Sequence, residues 1–221
     1  NMSLHNKELF IFDLDGTLVD TAPDFRNSVN YMLNEIGEKP VELNEIRNWV
    51  GYGGRELIRR TVIAKNIQHD EKRIDEMLKI FLLHYTHNID DDSVLYDNVE
   101  DVLKFLIQNK IKIAVCTNKM ESLSVMLLEK LGVMNHFDYL VGGDTFDKNK
   151  PNPYPLIQIC KKLQIKEEKS IMVGDSVTDL KAGHNAGMPV ALVNYGYTDD
   201  KSIYDQADMV IDNFNKLKEL I

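Results

Sequence analysis

Cysteine is almost missing from this chain, and the two residues present exclude more than they suggest. Cys116 and Cys160 sit among apolar neighbours, with no Cys-x-x-Cys pair and no histidine at a zinc-binding spacing. A disulfide framework and a zinc site are thereby set aside, and buried free thiols in a reducing compartment are expected. Positive charge is in deficit as well: 26 Lys and Arg against 35 Asp and Glu leave a net charge of −9. That balance lacks the basic footprint of a general nucleic-acid or anionic-membrane binder. An anionic small molecule stays admissible, because a few lysines or a bound cation reverse the sign inside a pocket. No apolar run approaches the length of a membrane span, and residues 1–7 are polar with no hydrophobic signal region. The expectation is a cytoplasmic globular protein, a monomer or a homodimer, without internal repeats or low-complexity tracts.

The 221 residues, 43% of them hydrophobic, suffice for one large domain or for a core domain with a smaller insert. Short apolar runs recur at residues 9–12, 111–116, 139–141, 171–173, 190–193 and 209–211. Each is nearly unbroken in hydrophobicity, as strands covered on both faces are. Helical spacing lies between them. Val99, Val102, Leu103 and Leu106 follow a cap expected at Asp97, and Leu123, Met126, Leu127 and Leu131 precede a stop at Gly132. Strand and helix alternate in this way from about residue 97 onward, which predicts an α/β doubly wound parallel-sheet (Rossmann-like) core. Residues 21–93 break the rhythm. Stripes at Phe25, Val29, Met32 and Leu33, and later at Ile74, Met77, Phe81 and Tyr85, predict helices with no strand among them. The expected organisation is a core of residues 1–20 and 94–221 with an all-helical insert at 21–93. Trp49 and Tyr85 are assigned to the insert's own core, and the acidic residues 90–92 to a solvated hinge.

Ligands of an open α/β sheet bind outside the carboxyl ends of its strands. The first apolar run ends in Asp13-Leu14-Asp15-Gly16-Thr17, and the second in Thr117-Asn118-Lys119. The fourth ends in Gly174-Asp175-Ser176, with Asp179 four residues past Asp175, and Lys150 stands in a polar loop before Pro151. Side chains at i and i+2 of a strand point the same way, so Asp13 and Asp15 are expected on one side, where two carboxylates call for a cation between them. Mg²⁺ suits such oxygen donors. Each piece has a plainer reading: an Asp-Gly turn, helix caps at Thr117 and Asp175, a solvent-facing Asp179, a solvated Lys150. Together at separate strand edges they provide what phosphoryl transfer needs. A carboxylate can serve as nucleophile, a second carboxylate as acid and base, and cations can meet the charge on the transferred group.

As a set, these motifs resemble the four motifs of the haloacid dehalogenase superfamily, in the order and spacing of its helical-cap phosphatases. The resemblance runs from Phe10 to about Ile211. It implies Asp13 as nucleophile, Asp15 as general acid and base, and Thr117 and Lys150 as holders of the phosphoryl group. It further implies Mg²⁺ held by the Asp13 side chain, the Asp15 backbone carbonyl and Asp175, with Asp179 supporting the metal or orienting Lys150. Asp20-Thr21-Ala22-Pro23-Asp24, Val50-Gly51-Tyr52-Gly53-Gly54 and Gly142-Gly143-Asp144-Thr145 are similar to segments of the phosphoglycolate phosphatases. Met120, where many relatives carry proline, departs from them. The resemblance implies a Mg²⁺-dependent phosphatase acting through an aspartyl phosphate on a small phosphorylated metabolite, a phosphate monoester with 2-phosphoglycolate the first expectation, and with pyrophosphate hydrolysis, sugar phosphomutation and a non-catalytic regulatory role as alternatives. Gly16, Thr17, Asn118, Lys119, Gly53, Gly54 and Arg55 are the candidate substrate contacts, Arg55 being either a partner for a substrate carboxylate or a surface charge.

Overall fold

The computed structural model describes residues 3–221. The chain enters through strand β1 (Leu9–Phe12), passes a short β2 (Val19–Asp20), and then forms helices α1 (Ala22–Glu35), α2 (Leu43–Arg47), α3 (Gly54–Ala64) and α4 (Glu71–His87). It returns through β3 (Val94–Leu95) and alternates α5 (Val99–Gln108), β4 (Lys112–Cys116), α6 (Glu121–Lys130) and β5 (Tyr139–Val141). Then follow α7 (Tyr154–Leu163), β6 (Ser170–Gly174), α8 (Val177–Asn185), β7 (Val190–Val193) and β8 (Met209–Ile211).

Six strands form one parallel sheet in the order β5-β4-β1-β6-β7-β8. Every apolar run singled out in the sequence is one of these strands, with bounds moved by a residue at most. The unbroken hydrophobicity follows from burial on both faces. Phe10 and Phe12 pack with α5 and Phe214 on one side, while Leu9 and Ile11 pack with Leu156, Ile159 and Leu180 of α7 and α8 on the other. A large apolar side chain so enclosed contributes about 1.5–3 kcal/mol. From β1 the chain builds β4 and β5 on one side and later β6, β7 and β8 on the other. The carboxyl ends of β1, β4 and β6 therefore border the crevice at this switch point.

Residues 22–87 hold the four helices and no strand. β2 and β3 pair antiparallel at the base of this segment, Val19 opposite Leu95 and Asp20 opposite Val94. Inside it Phe25, Phe81 and Tyr85 stack, the Phe25 and Tyr85 ring centroids lying 4.8 Å apart. Asp91 and Asp92 are exposed, as expected of a hinge, but the backbone there is pinned: the Asp92 amide and Ser93 hydroxyl donate to the buried Asp24 carboxylate. The cap of α5 differs from expectation. Asn98, not Asp97, occupies that position, in a left-handed conformation that asparagine tolerates, and no side chain caps the helix. Among the described residues no helix is long and apolar enough to cross a membrane.

Candidate active site

Three strand ends and one loop deliver the site. The Asp13 amide donates to the Val173 carbonyl at 2.9 Å, extending the ladder between β1 and β6 by one residue and fixing the carboxylate at the sheet edge. Its Oδ1 accepts from the Leu14 amide at 2.8 Å and lies 3.1 Å from Lys150 Nζ. Asp15 takes a different partner, Lys119 Nζ, at 3.2 Å. The two side chains do not share a partner: strand geometry ends at Phe12, the turn follows, and each aspartate faces its own buried lysine.

The acidic cluster instead joins Asp13 to Asp175 and Asp179, one carboxylate oxygen from each lying within 4.8 Å of the other two. Asp179 is fully buried, so the solvent-facing reading of it fails. One of its oxygens accepts from Lys150 Nζ at 2.6 Å, the other from the Asp175 and Ser176 amides and the Ser176 hydroxyl. Ser176, not Asp175, caps α8, and Asp179 completes the reciprocal capping box. Asp175 accepts from the Thr17 hydroxyl at 3.3 Å and the Tyr197 amide at 2.9 Å. Gly16 has φ +84°, and a Cβ there would strike the Asp175 carboxylate; one at Gly174 would strike Asp179. The motif glycines make room for carboxylates to converge.

Three carboxylates around one ammonium leave an excess of negative charge. Burial, reinforced by Asp179, pushes the Asp13 carboxyl well above its usual range and that of Asp175 up to about 7. Burial alone would depress Lys150, but Asp13 and Asp179 outweigh it and hold the ammonium above its ordinary value. Lys119 goes the other way: burial lowers it despite Asp15. Hard oxygen donors with two uncompensated negative charges suit a divalent cation such as Mg²⁺. Asp179 already accepts four hydrogen bonds, against two for Asp175 and one for Asp13 besides its ion pair with Lys150, so Asp13 and Asp175 are the carboxylates with lone pairs to spare. The Asp15 side chain lies with Lys119, outside this cluster.

Beside Asp15 opens a cavity of about 190 Å³, between α3 and α4 and the loop after β4. Asp15, Lys119, Gly53, Gly54 and Arg55 line it, while most of its remaining wall is apolar, including Leu57, Leu78 and Phe81. Arg55 is turned to Glu71 and Asp75 on α4, at the half-exposed rim. Gly16, Thr17 and Asn118 do not line the cavity; they hold the loops. The Asn118 amide group donates to the carbonyls of Gly51 and Lys150, tying the glycine loop to both motif loops, and its Oδ1 is buried without a partner among the described residues. Thr117 Oγ1 accepts from the Lys119 amide, so it shapes the turn while remaining buried beside Asn118.

Two residues escaped the sequence reading. Tyr85 packs in the insert as expected, but its hydroxyl also accepts from Lys119 Nζ. Tyr197 donates to Asp20, accepts from the Thr21 and Ala22 amides, and holds Asp175 by its own amide, linking the acidic cluster to the start of α1. A visible signal existed: Asn194-Tyr195-Gly196-Tyr197 follows β7 at the same sheet edge as the four motifs.

An acidic centre flanked by two buried lysines, at the switch point of a parallel sheet with an inserted helical segment, defines a class of hydrolase core. The family model described as "Haloacid dehalogenase-like hydrolase" matches residues 10–193, and the chain belongs to that family. It is 40% identical over 209 residues to a phosphoglycolate phosphatase of Agrobacterium fabrum, covering 95% of this chain and 90% of that protein. A phosphoglycolate phosphatase of Mesorhizobium japonicum is 38% identical over 212 residues, 96% and 93% of the two chains. The crystal structure of a predicted phosphoglycolate phosphatase from Haemophilus somnus superposes with a TM-score of 0.90 at 29% identity, covering 98% of each chain.

Proposed function

We propose that the protein is a Mg²⁺-dependent phosphatase that hydrolyses a small phosphate monoester, 2-phosphoglycolate first among them, through an aspartyl phosphate on Asp13. The observation that carries this is the pairing of each motif aspartate with its own buried lysine, Asp13 with Lys150 and Asp15 with Lys119. Two carboxylates in separate environments can take separate roles. Asp13 Oδ attacks phosphorus and the ester oxygen leaves with a proton from Asp15. Asp15 then takes a proton from the water that hydrolyses the acyl phosphate, restoring both groups. Lys150 and the Thr117 hydroxyl meet charge on the equatorial oxygens. A cation held by the Asp13 side chain, the Asp15 backbone carbonyl and Asp175 would offset the negative charge of phosphate and carboxylates. Asp179 positions Lys150 and the loop that carries Asp175. In this reading residues 21–93 form a cap whose glycine loop shields the reaction from bulk water. The buried free thiols Cys116 and Cys160 fit a cytoplasmic setting.

The mostly apolar cavity wall speaks against pyrophosphate and sugar bisphosphates, whose many oxygens require many donors. A phosphate-release screen across phosphoglycolate, pyrophosphate, sugar phosphates and nucleotides tests the reading. The expected result is Mg²⁺-dependent release with the highest kcat/KM on phosphoglycolate. Isomerisation without phosphate release, or no turnover of any ester, overturns it.

A further inference from the structure

Selection of an anionic leaving group requires donors next to Asp15, and one candidate for that part, Arg55, is paired with Glu71 and Asp75. Lys119 and Tyr85 both line the cavity at Asp15. Lys119 has three N–H donors; Asp15 and the Tyr85 hydroxyl take two, leaving one. Tyr85 is fully buried, and among the described residues its hydroxyl makes one hydrogen bond, the one it accepts. The hydroxyl proton therefore has no acceptor among the described residues, and accepting from an ammonium makes it a stronger donor. The rings hold the arrangement: Lys119 Nζ sits 4.4 Å from the Phe25 centroid and 4.5 Å from that of Tyr85.

We infer that Tyr85 and Lys119 together form a receptor for a carboxylate on the leaving group, an assignment that rests on the phosphatase reading above and narrows its substrates to phosphate esters of small hydroxy acids. The ester oxygen stays with Asp15 while the acid's carboxylate accepts from the Tyr85 hydroxyl and the third Lys119 proton. The apolar remainder of the cavity offers a carboxylate nothing, so discrimination by charge falls to this pair. Tyr85 thereby makes an inserted helix, not only the sheet edge, a determinant of specificity.

The matched substrates are 2-phosphoglycolate and 2-hydroxyethyl phosphate, which differ by carboxylate against neutral hydroxymethyl. Wild-type enzyme is expected to favour phosphoglycolate, and Tyr85→Phe, which keeps the ring stack, to shrink the ratio of the two kcat/KM values about tenfold or more. The fall should appear chiefly as a raised KM for phosphoglycolate. A ratio within twofold of wild type in Tyr85→Phe overturns the receptor while leaving the phosphatase reading intact. Wild-type turnover of other esters but not phosphoglycolate refutes the substrate narrowing itself. Should Tyr85→Phe not fold, inhibition of wild-type enzyme decides: glycolate should compete at least tenfold better than ethylene glycol, and equal competition overturns the receptor.

Discussion

Lys150→Met probes the electrostatics of the centre more sharply than any change to a carboxylate. The Lys150 side chain is 1% exposed and serves two acids, 2.6 Å from Asp179 and 3.1 Å from Asp13. Methionine keeps most of the volume and removes the ammonium that adjoins the acidic triad. Breaking a buried ion pair from one side costs about 3–5 kcal/mol, because the partner charge stays buried and unpaired. For a chain of this size each kcal/mol moves Tm by roughly 2–4 °C, so a fall of about 6–20 °C is expected without metal. The pH dependence has a definite sign. Asp13 and Asp175 already have raised folded-state values, so the folded state retains protons that the unfolded chain releases, and stability declines as pH rises through that window. Without Lys150 those values rise further, and the deficit of the variant should be small at pH 5 and full at pH 8. Urea titrations followed by circular dichroism in EDTA at both pH values measure this. A deficit below about 1 kcal/mol at pH 8, or one that does not grow from pH 5 to pH 8, would refute the reasoning.

Mg²⁺ should raise the Tm of wild-type protein more at pH 8 than at pH 5.5, because Asp175, pushed up to about 7, must shed its proton before it can hold a cation; equal shifts at both pH values would contradict this. Tyr197→Phe should destabilise by about 2–3 kcal/mol in a denaturant melt, since the Thr21 and Ala22 amides lose their buried acceptor and Asp20 loses its donor. A loss under 0.5 kcal/mol, the size of an ordinary surface change, would mean that water replaces the hydroxyl.

The sheet was legible because a strand buried on both faces leaves an uninterrupted apolar run, and β1, β4, β6 and β7 are such strands. Reading only the residues that follow those runs located Asp13, Thr117 and Asp175. Partners were harder to see. Local strand periodicity put Asp13 and Asp15 on one side, yet tertiary contacts with Lys150 and Lys119, distant in sequence, decided where each carboxylate went. Tyr85 carries a second lesson. Helical spacing placed it in the insert's core, and it is there, but a tyrosine can bury its ring and still present a hydroxyl elsewhere. Arg55 stays open between two readings in the sequence for a related reason: the acids that pair with it, Glu71 and Asp75, lie on the next helix, and periodicity does not reveal how two helices face. At α5, Asp97 had the right chemistry for a cap, but the chain turns one residue later through a left-handed Asn98.

The role assigned to Asp13 bears the whole mechanism, and turnover of phosphoglycolate by Asp13→Asn with Mg²⁺ tests it most directly. The variant keeps the side-chain shape and removes one of three crowded carboxylates, so its metal-free Tm should equal or exceed that of wild type. Its kcat should fall by about a thousandfold or more, as loss of a covalent nucleophile demands. A folded Asp13→Asn protein that turns over within tenfold of wild type would contradict the account.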